Sequence, residues 1–233
     1  MTGQGATSFS HGLRDGSGAT RRAAGVVAAA LREGRGRANA AFDRLLPAEL
    51  REVSEDYWTP IPVVRRVAAW LRAERVRTVV DIGSGAGKFG VATALLAPCH
   101  VIGLEQRPAL VAEARALAAL FGVDDRVRFE HGSFGVTPTP AGDAYYLFNP
   151  FVEYGFRSAR YADAGVVFSE PARRRDVAAM RRFLSTAPVG TVVITYNGFG
   201  GDVPPSYGQM RVDLSFRGPL RLWKKQPRPA RVR

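Results

Sequence analysis

The clearest pattern along the chain is an alternation of two periods between residues 77 and 196. Short runs rich in β-branched and aromatic residues read as buried strands: RTVVDI (77–82), HVIGLE (100–105), RVRFE (126–130), DAYYLF (143–148) and GTVVITY (190–196). Helical stretches fall among them, over 87–96, 108–121 and 172–186. Strands alternating with helices predict a parallel sheet covered on both faces. Two last strands, over 207–215 and 219–226, flank a turn containing Phe216, Arg217 and Gly218, which predicts an antiparallel hairpin at the sheet edge. The fold class is therefore α/β, a doubly wound, mostly parallel sheet.

Upstream the pattern is weaker. Residues 1–17 are rich in Gly, Ser and Thr, a composition that predicts disorder. Residues 19–33 predict an Ala- and Val-rich helix ended by Gly34 and Gly36, and 38–56 a second helical region broken at Pro47. Thr59 reads as the N-cap, and Pro60 as the first residue, of a helix with Val63, Val67, Trp70 and Leu71 at helical spacing. The organisation expected is a tail (1–17), a helical extension (18–56), one main domain (57–226) and a basic tail (227–233).

Composition narrows the classes. No run approaches the roughly 18 apolar residues of a membrane span. Arg21-Arg22 ahead of AAGVVAAAL is similar to a twin-arginine signal, but the apolar run is short and closes on Arg32-Glu33, so a helix is the reading and the cytoplasm the expected compartment. Cys99 stands alone, and His11, His100 and His131 lack zinc-binding spacing, so neither disulfides nor a metal site is expected. His131 reads as a loop histidine.

The net charge is +12, and residues 207–233 carry eight basic side chains against Asp213 alone. Such an end suits a nucleic-acid backbone or another acidic partner. It equally suits a solvated tail in an arginine-biased chain, whose only lysines are Lys88, Lys224 and Lys225. Both readings stay open.

The candidate chemistry begins at VVDIGSGAGKFG (79–90). Gly85 to Gly90 matches G-x-G-x-x-G, a dinucleotide fingerprint, whereas Asp81 to Gly87 reads D-x-G-x-G-x-G. A dinucleotide site sets a pyrophosphate at the helix N-terminus, where Asp81 would repel it. A ligand presenting an ammonium there, such as S-adenosylmethionine, would be attracted. Starting the dinucleotide fingerprint at Gly83 puts Lys88 where its third glycine belongs. Starting it at Gly85 moves Gly83 into the strand end, where glycine is poorly placed. The D-x-G-x-G-x-G reading has neither fault, and its glycines let backbone approach a ligand closely. Glu105 ends the second strand and can accept from both ribose hydroxyls. After the third strand, Ser133 could meet an adenine amine and Phe134 cover the ring; ordinary turn residues are the competing reading.

On these motifs, residues 57 to about 200 resemble a class I S-adenosylmethionine-dependent methyltransferase, a Rossmann-like fold. The resemblance implies that Asp81, Gly83, Gly85 and Gly87 line the methionine pocket, that Glu105 holds the ribose and that Ser133 lies near the adenine. That family usually carries Asp at the Ser133 position. The fourth strand ends in LFNPFVE (147–153), which is similar to the Asn-Pro-Pro-aromatic motif of enzymes that methylate planar amino groups, with one proline missing. The resemblance assigns the catalytic contacts to Asn149, Pro150 and Phe151. Asn149 and a proline carbonyl would accept hydrogens from the target amine, and Phe151 would stack on its plane. Thr59-Pro60 resembles the segment that touches the methionine carboxylate in one order of these enzymes; plain helix capping is the alternative.

Tyr57 and Trp58 either wall the cofactor or belong to the core. Glu153 either takes the departing proton or is a solvated loop acid. Tyr196, Asn197 and Phe199 would border the acceptor, which is unidentified: nucleic acid, protein or small molecule. An NAD(P)-dependent oxidoreductase and a non-catalytic binding module on the same fold are the competing functions.

Overall fold

The computed structural model describes residues 18–34, 38–151 and 169–227. Its strands are β1 (Thr78–Ile82), β2 (His100–Glu105), β3 (Val127–His131), β4 (Ala144–Phe148), β5 (Val192–Tyr196), β6 (Tyr207–Asp213) and β7 (Leu220–Lys225). They form one sheet in the order β3-β2-β1-β4-β5-β7-β6. The first five strands run parallel, and β7 pairs antiparallel with both β5 and β6. This is the doubly wound sheet and edge hairpin expected from the alternation of periods.

The helices are α1 (Gly18–Glu33), α2 (Ala38–Asp43), α3 (Ala48–Glu52), α4 (Ser54–Tyr57), α5 (Ile61–Ala73), α6 (Lys88–Leu96), α7 (Pro108–Phe121) and α8 (Glu170–Thr186). One sheet face packs Val79, Val101, Tyr146 and Ile194 against α5, α6 and α7. The other packs Val80, Ile102, Leu147 and Val193 against Met180 and Leu184 of α8. Successive strand residues face opposite ways, so each run supplies both layers.

Lys88 through Leu95 are all buried, unusual for a helix with one partner. The cause is α1, whose Ala24, Val27, Ala28 and Leu31 close over α6 and α7. The helical extension is thus a third layer of the core. Among the described residues, no helix is long and apolar enough to cross a membrane.

Two sequence expectations change. Thr59 does not cap α5. The helix begins at Ile61, Pro60 takes the cap position without a side-chain bond, and the Ile61 N–H donates to Asn39 Oδ1 of α2 at 2.9 Å. The Thr59 hydroxyl is spent on Tyr146, whose Oη lies 2.9 Å away. Helix α8 starts at Glu170, two residues before 172, because Ser169 Oγ accepts from the Ala172 N–H and Pro171 suits the first turn.

The basic C-terminal end is largely put to structural use. Lys224 Nζ bonds Glu74 at 2.9 Å, and Arg211 pairs with the same carboxylate. The ammonium of Lys225 is buried and donates to the carbonyls of Leu184 and Ser185, at the end of α8 where a cation is favoured. Arg228, Arg231 and Arg233 lie outside the described residues.

Candidate functional site

The sheet order places the topological switch between β1 and β4, and ligand crevices form beyond the carboxyl ends of such strands. Register shows what faces the crevice. Asp81 pairs with Gly103 on one side and Tyr146 on the other, so all three point toward the α5–α6 face. Two residues further along, Glu105, Phe148 and Tyr196 share that face, since Phe148 pairs with Tyr196 and side chains repeat every second residue.

A cleft of about 600 Å³, counted to its open mouth, lies over these strand ends. Gly83, Gly85, Glu105, Phe148, Asn149 and Pro150 line it from the sheet side. Asp56, Tyr57 and Trp58 wall it from α4 and the segment that follows, and Arg107 and Leu110 from the start of α7.

The glycine turn adopts the conformation its residues predict. Gly83, Gly85 and Gly87 all have positive φ, at 78°, 54° and 82°. Their surroundings differ. A Cβ on Gly85 would lie 2.2 Å from the Trp58 ring, and one on Gly87 would lie 2.7 Å from Ala114 and Phe129. Gly83 and Gly85 therefore border the cleft, whereas Gly87 serves the close approach of α7. The amides of Gly83 and Ser84 both donate to the Leu104 carbonyl, which folds the turn back across β2.

Glu105 is 4% exposed and clamps two loops. Its Oε2 accepts from the Gly85 N–H and its Oε1 from the Arg107 N–H, each at 2.9 Å. Burial raises its pKa, and these bonds hold the rise back. Asp81, 3% exposed, sits beneath the cleft floor. Burial, and then the neighbouring Glu105 charge, push its pKa well above the ordinary carboxylate range. Two acids thus share one desolvated corner.

The remaining expected residues separate into groups. Asn149 and Pro150 stand at the cleft, with Asn149 in the left-handed region at φ 45° and its N–H bonded to the Gly198 carbonyl. Phe151 does not join them. Its ring packs against Phe134, which also meets Phe183, on the α8 face of the sheet. Ser133 Oγ contacts Gln106 Oε1 at 3.4 Å, just beyond Glu105, so it lies beside the cleft and not in its lining. Thr59 is buried against Tyr146. Tyr196 and Asn197 stay near β4, but Phe199 is wholly buried in the α8 layer. Glu153 lies outside the described residues.

Sequence reasoning missed Arg107, Leu110, Asp56 and Gln106. The signal for Arg107 was its place two residues after Glu105, in a turn that must curl back toward the glycine loop. Asp56 carried no such signal, because its position depends on how α4 docks. Lys88, inside the glycine motif, points away from the cleft. Its Nζ meets Asp43 Oδ1 of α2 at 2.6 Å and Ser54 Oγ of α4 at 3.1 Å.

Comparison with known proteins agrees with this geometry. Residues 74–143 match the family described as methyltransferase domain, a stretch that holds the glycine turn and Glu105. No curated protein matches the sequence. Among solved structures, an RNA methyltransferase from Salinibacter ruber in complex with S-adenosyl-L-homocysteine is similar at 20% identity, covering 74% of this chain and 96% of that one, with a TM-score of 0.53. An O-methyltransferase from Bacillus cereus, in complex with the same compound, is similar at 14% identity over 84% and 91% of the two chains, with a TM-score of 0.51. At these identities the likeness is one of fold. Residues 74–143 thus match a methyltransferase domain, on a fold shared with these S-adenosyl-L-homocysteine-bound methyltransferases.

Proposed function

We propose that this methyltransferase domain binds S-adenosylmethionine in the β1–β4 cleft and directs its methyl group to a nitrogen of the acceptor. The observation that carries the reading is the pair of buried carboxylates at the ends of β1 and β2, Asp81 and Glu105, where burial and the neighbouring Glu105 charge oppose ionisation of Asp81. A ligand bringing an ammonium and a sulfonium relieves that repulsion, and a pyrophosphate would add to it. The two cleft-facing glycines, Gly83 and Gly85, let such a ligand approach the backbone closely.

In this reading Glu105 turns its carboxylate to the ribose hydroxyls, and Asp81 sets the negative potential under the ammonium. Ser133 lies on the adenine side with Gln106, whereas Phe134, packed with Phe151 and Phe183 on the α8 face, takes no part. Thr59 acts through its bond to Tyr146, which holds the 57–60 segment against β4. The bound cofactor supplies an electrophilic methyl on a positively charged sulfur. The chain's own share is to place the acceptor in line with it and to exclude water. Asn149 Oδ1 and the Pro150 carbonyl would accept the acceptor's N–H hydrogens and aim its lone pair. A neutral amine that loses its proton after transfer needs no strong base.

The acceptor belongs to a nucleic acid, a protein or a small molecule. The net charge of +12 favours an acidic partner, and a fold neighbour that is an RNA methyltransferase makes RNA the first to try. The single cysteine, buried and unpaired, suits a reducing compartment, and we place the enzyme in the cytoplasm.

Two measurements test this. Calorimetry should detect binding of S-adenosylhomocysteine and none of NADH. Radiolabelled methyl from the cofactor should then enter one fraction of a lysate separated into nucleic acid, protein and small molecules, on a base-stable N-methyl group. A folded protein that binds NADH and ignores S-adenosylhomocysteine would overturn the reading.

A further inference from the structure

Helix α8 carries five arginines, Arg173, Arg174, Arg175, Arg181 and Arg182, against two acids, Glu170 and Asp176. Its core side is set by Val177, Met180, Phe183 and Leu184, which belong to the layer packed on the sheet. At about 100° per residue, Arg174 and Arg181 fall on one edge of the opposite side, and Arg175 and Arg182 on the other. All four are exposed. The two members of each row stand two turns apart, about 10.5 Å along the axis. Ala178 lies between the rows, so the floor of this face is low.

These arginines are not placed to serve the helix. Three lie in its first two turns, toward the end where the dipole disfavours a cation, and the last turn, where it favours one, has no basic residue. Glu170 offsets part of this through Arg173 and Arg174, at 3.0 and 3.4 Å, and Asp176 meets Arg175 at 2.9 Å. Arg181 and Arg182 have no acidic partner among the described residues. Arg173 reaches the loop after β5, where a Cβ on Gly200 would lie 3.0 Å from its Nη1. That loop adjoins the cleft, since the Gly198 carbonyl accepts from the N–H of Asn149 in the cleft lining. The arginine face therefore begins beside the Asn149 end of the cleft and runs away from it along α8.

We propose that the arginine face of α8 is a docking surface for the phosphodiester backbone of a nucleic acid. The inference concerns where a polyanion docks, not which atom is methylated, and stands apart from the methyltransferase reading. Guanidinium forks match phosphate oxygens two at a time, and two rows of them bracket one strand. The small side chain of Ala178 lets that strand approach the helix. A membrane surface calls for large apolar side chains on the docking face, and between these rows α8 offers only Ala178. An acidic protein calls for a desolvated pocket to anchor it, and the solvent face of a helix is convex.

The test uses the full chain and a fluorescein-labelled single-stranded RNA of about 20 nucleotides, with DNA of the same sequence as a second arm. Anisotropy follows binding across about 50–200 mM salt, and thermal denaturation checks that each variant folds. Arg181→Gln with Arg182→Gln should lower the slope of log affinity against log salt by about 1.4, the share of two phosphates, and the affinity by about tenfold. Arg181→Lys with Arg182→Lys should keep the slope. Arg21→Gln with Arg22→Gln removes the same charge from the exposed side of α1 and should leave both quantities unchanged. RNA bound more tightly than DNA makes the partner RNA, and the reverse makes it DNA. No binding of either strand, a slope untouched by the α8 pair or an equal loss from the α1 pair overturns the proposal. So does competition by polyglutamate, or by phosphatidylglycerol vesicles, as strong as that by unlabelled RNA. Failure of the same protein to bind S-adenosylhomocysteine would overturn the methyltransferase reading alone.

Discussion

The ammonium of Lys88 lies 2.6 Å from Asp43 Oδ1, with the lysine side chain 2% exposed and the aspartate 10%. Lys88 opens α6, where a cation meets the positive end of the helix dipole, and burial lowers its pKa against the opposing pull of Asp43. The pair ties α2 to the residue that follows the glycine turn. Removing one partner leaves the other charge buried. Lys88→Met should cost about 3–5 kcal/mol, and Asp43→Asn with Lys88→Met together should cost clearly less than their sum. Urea denaturation of the four proteins of that cycle measures it.

Gly85 and Gly122 both have positive φ, yet only Gly85 is crowded. Gly122→Ala should cost about 1–2 kcal/mol, the strain of the conformation alone. Gly85→Ala must also displace the Trp58 ring, so it should cost more and weaken S-adenosylhomocysteine at the same time. Adding Trp58→Ala should recover part of the Gly85→Ala loss in stability. Additive effects in the double variant would contradict this contact.

On the proposed reading, Asp81 and Glu105 should make cofactor binding depend on pH. Their folded pKa values are raised, so stability from their protonation is fully present below the ordinary carboxylate range, about 4, and is lost as pH climbs through the raised values. A ligand ammonium favours the ionised form. Binding of S-adenosylhomocysteine should therefore release protons and tighten as pH rises across that window. Calorimetry in buffers of different ionisation enthalpy counts the protons. Asp81→Asn should lose most of the affinity and the proton release, while the unliganded fold becomes no less stable.

Tyr146 Oη and Thr59 Oγ1 satisfy one another in a buried setting. Tyr146→Phe should cost roughly 1–2 kcal/mol by leaving the Thr59 hydroxyl unpaired, and Thr59→Val in that background should restore part of it. Thermal denaturation of the single and double variants decides it.

Local periodicity and turn chemistry determined a good deal of this protein by themselves. The strand runs, the parallel order they imply, the edge hairpin, the positive-φ glycines and the acids at the ends of β1 and β2 all follow from residues a few positions apart. Side-chain direction repeats every second residue in a strand, so Asp81 and Glu105 could be aimed without coordinates. Tertiary structure alone decided the rest. Asp43 and Ser54 reach Lys88 only because α1 to α4 fold back over α6. Thr59 left its capping role because Tyr146 stands opposite, and Lys224, Lys225 and Arg211 are spent on Glu74 and α8. Phe148 faces the cleft while Phe151 faces α8, because β4 ends between them and the chain turns. Contacts between segments distant in sequence depend on how layers pack, and no short-range pattern encodes that.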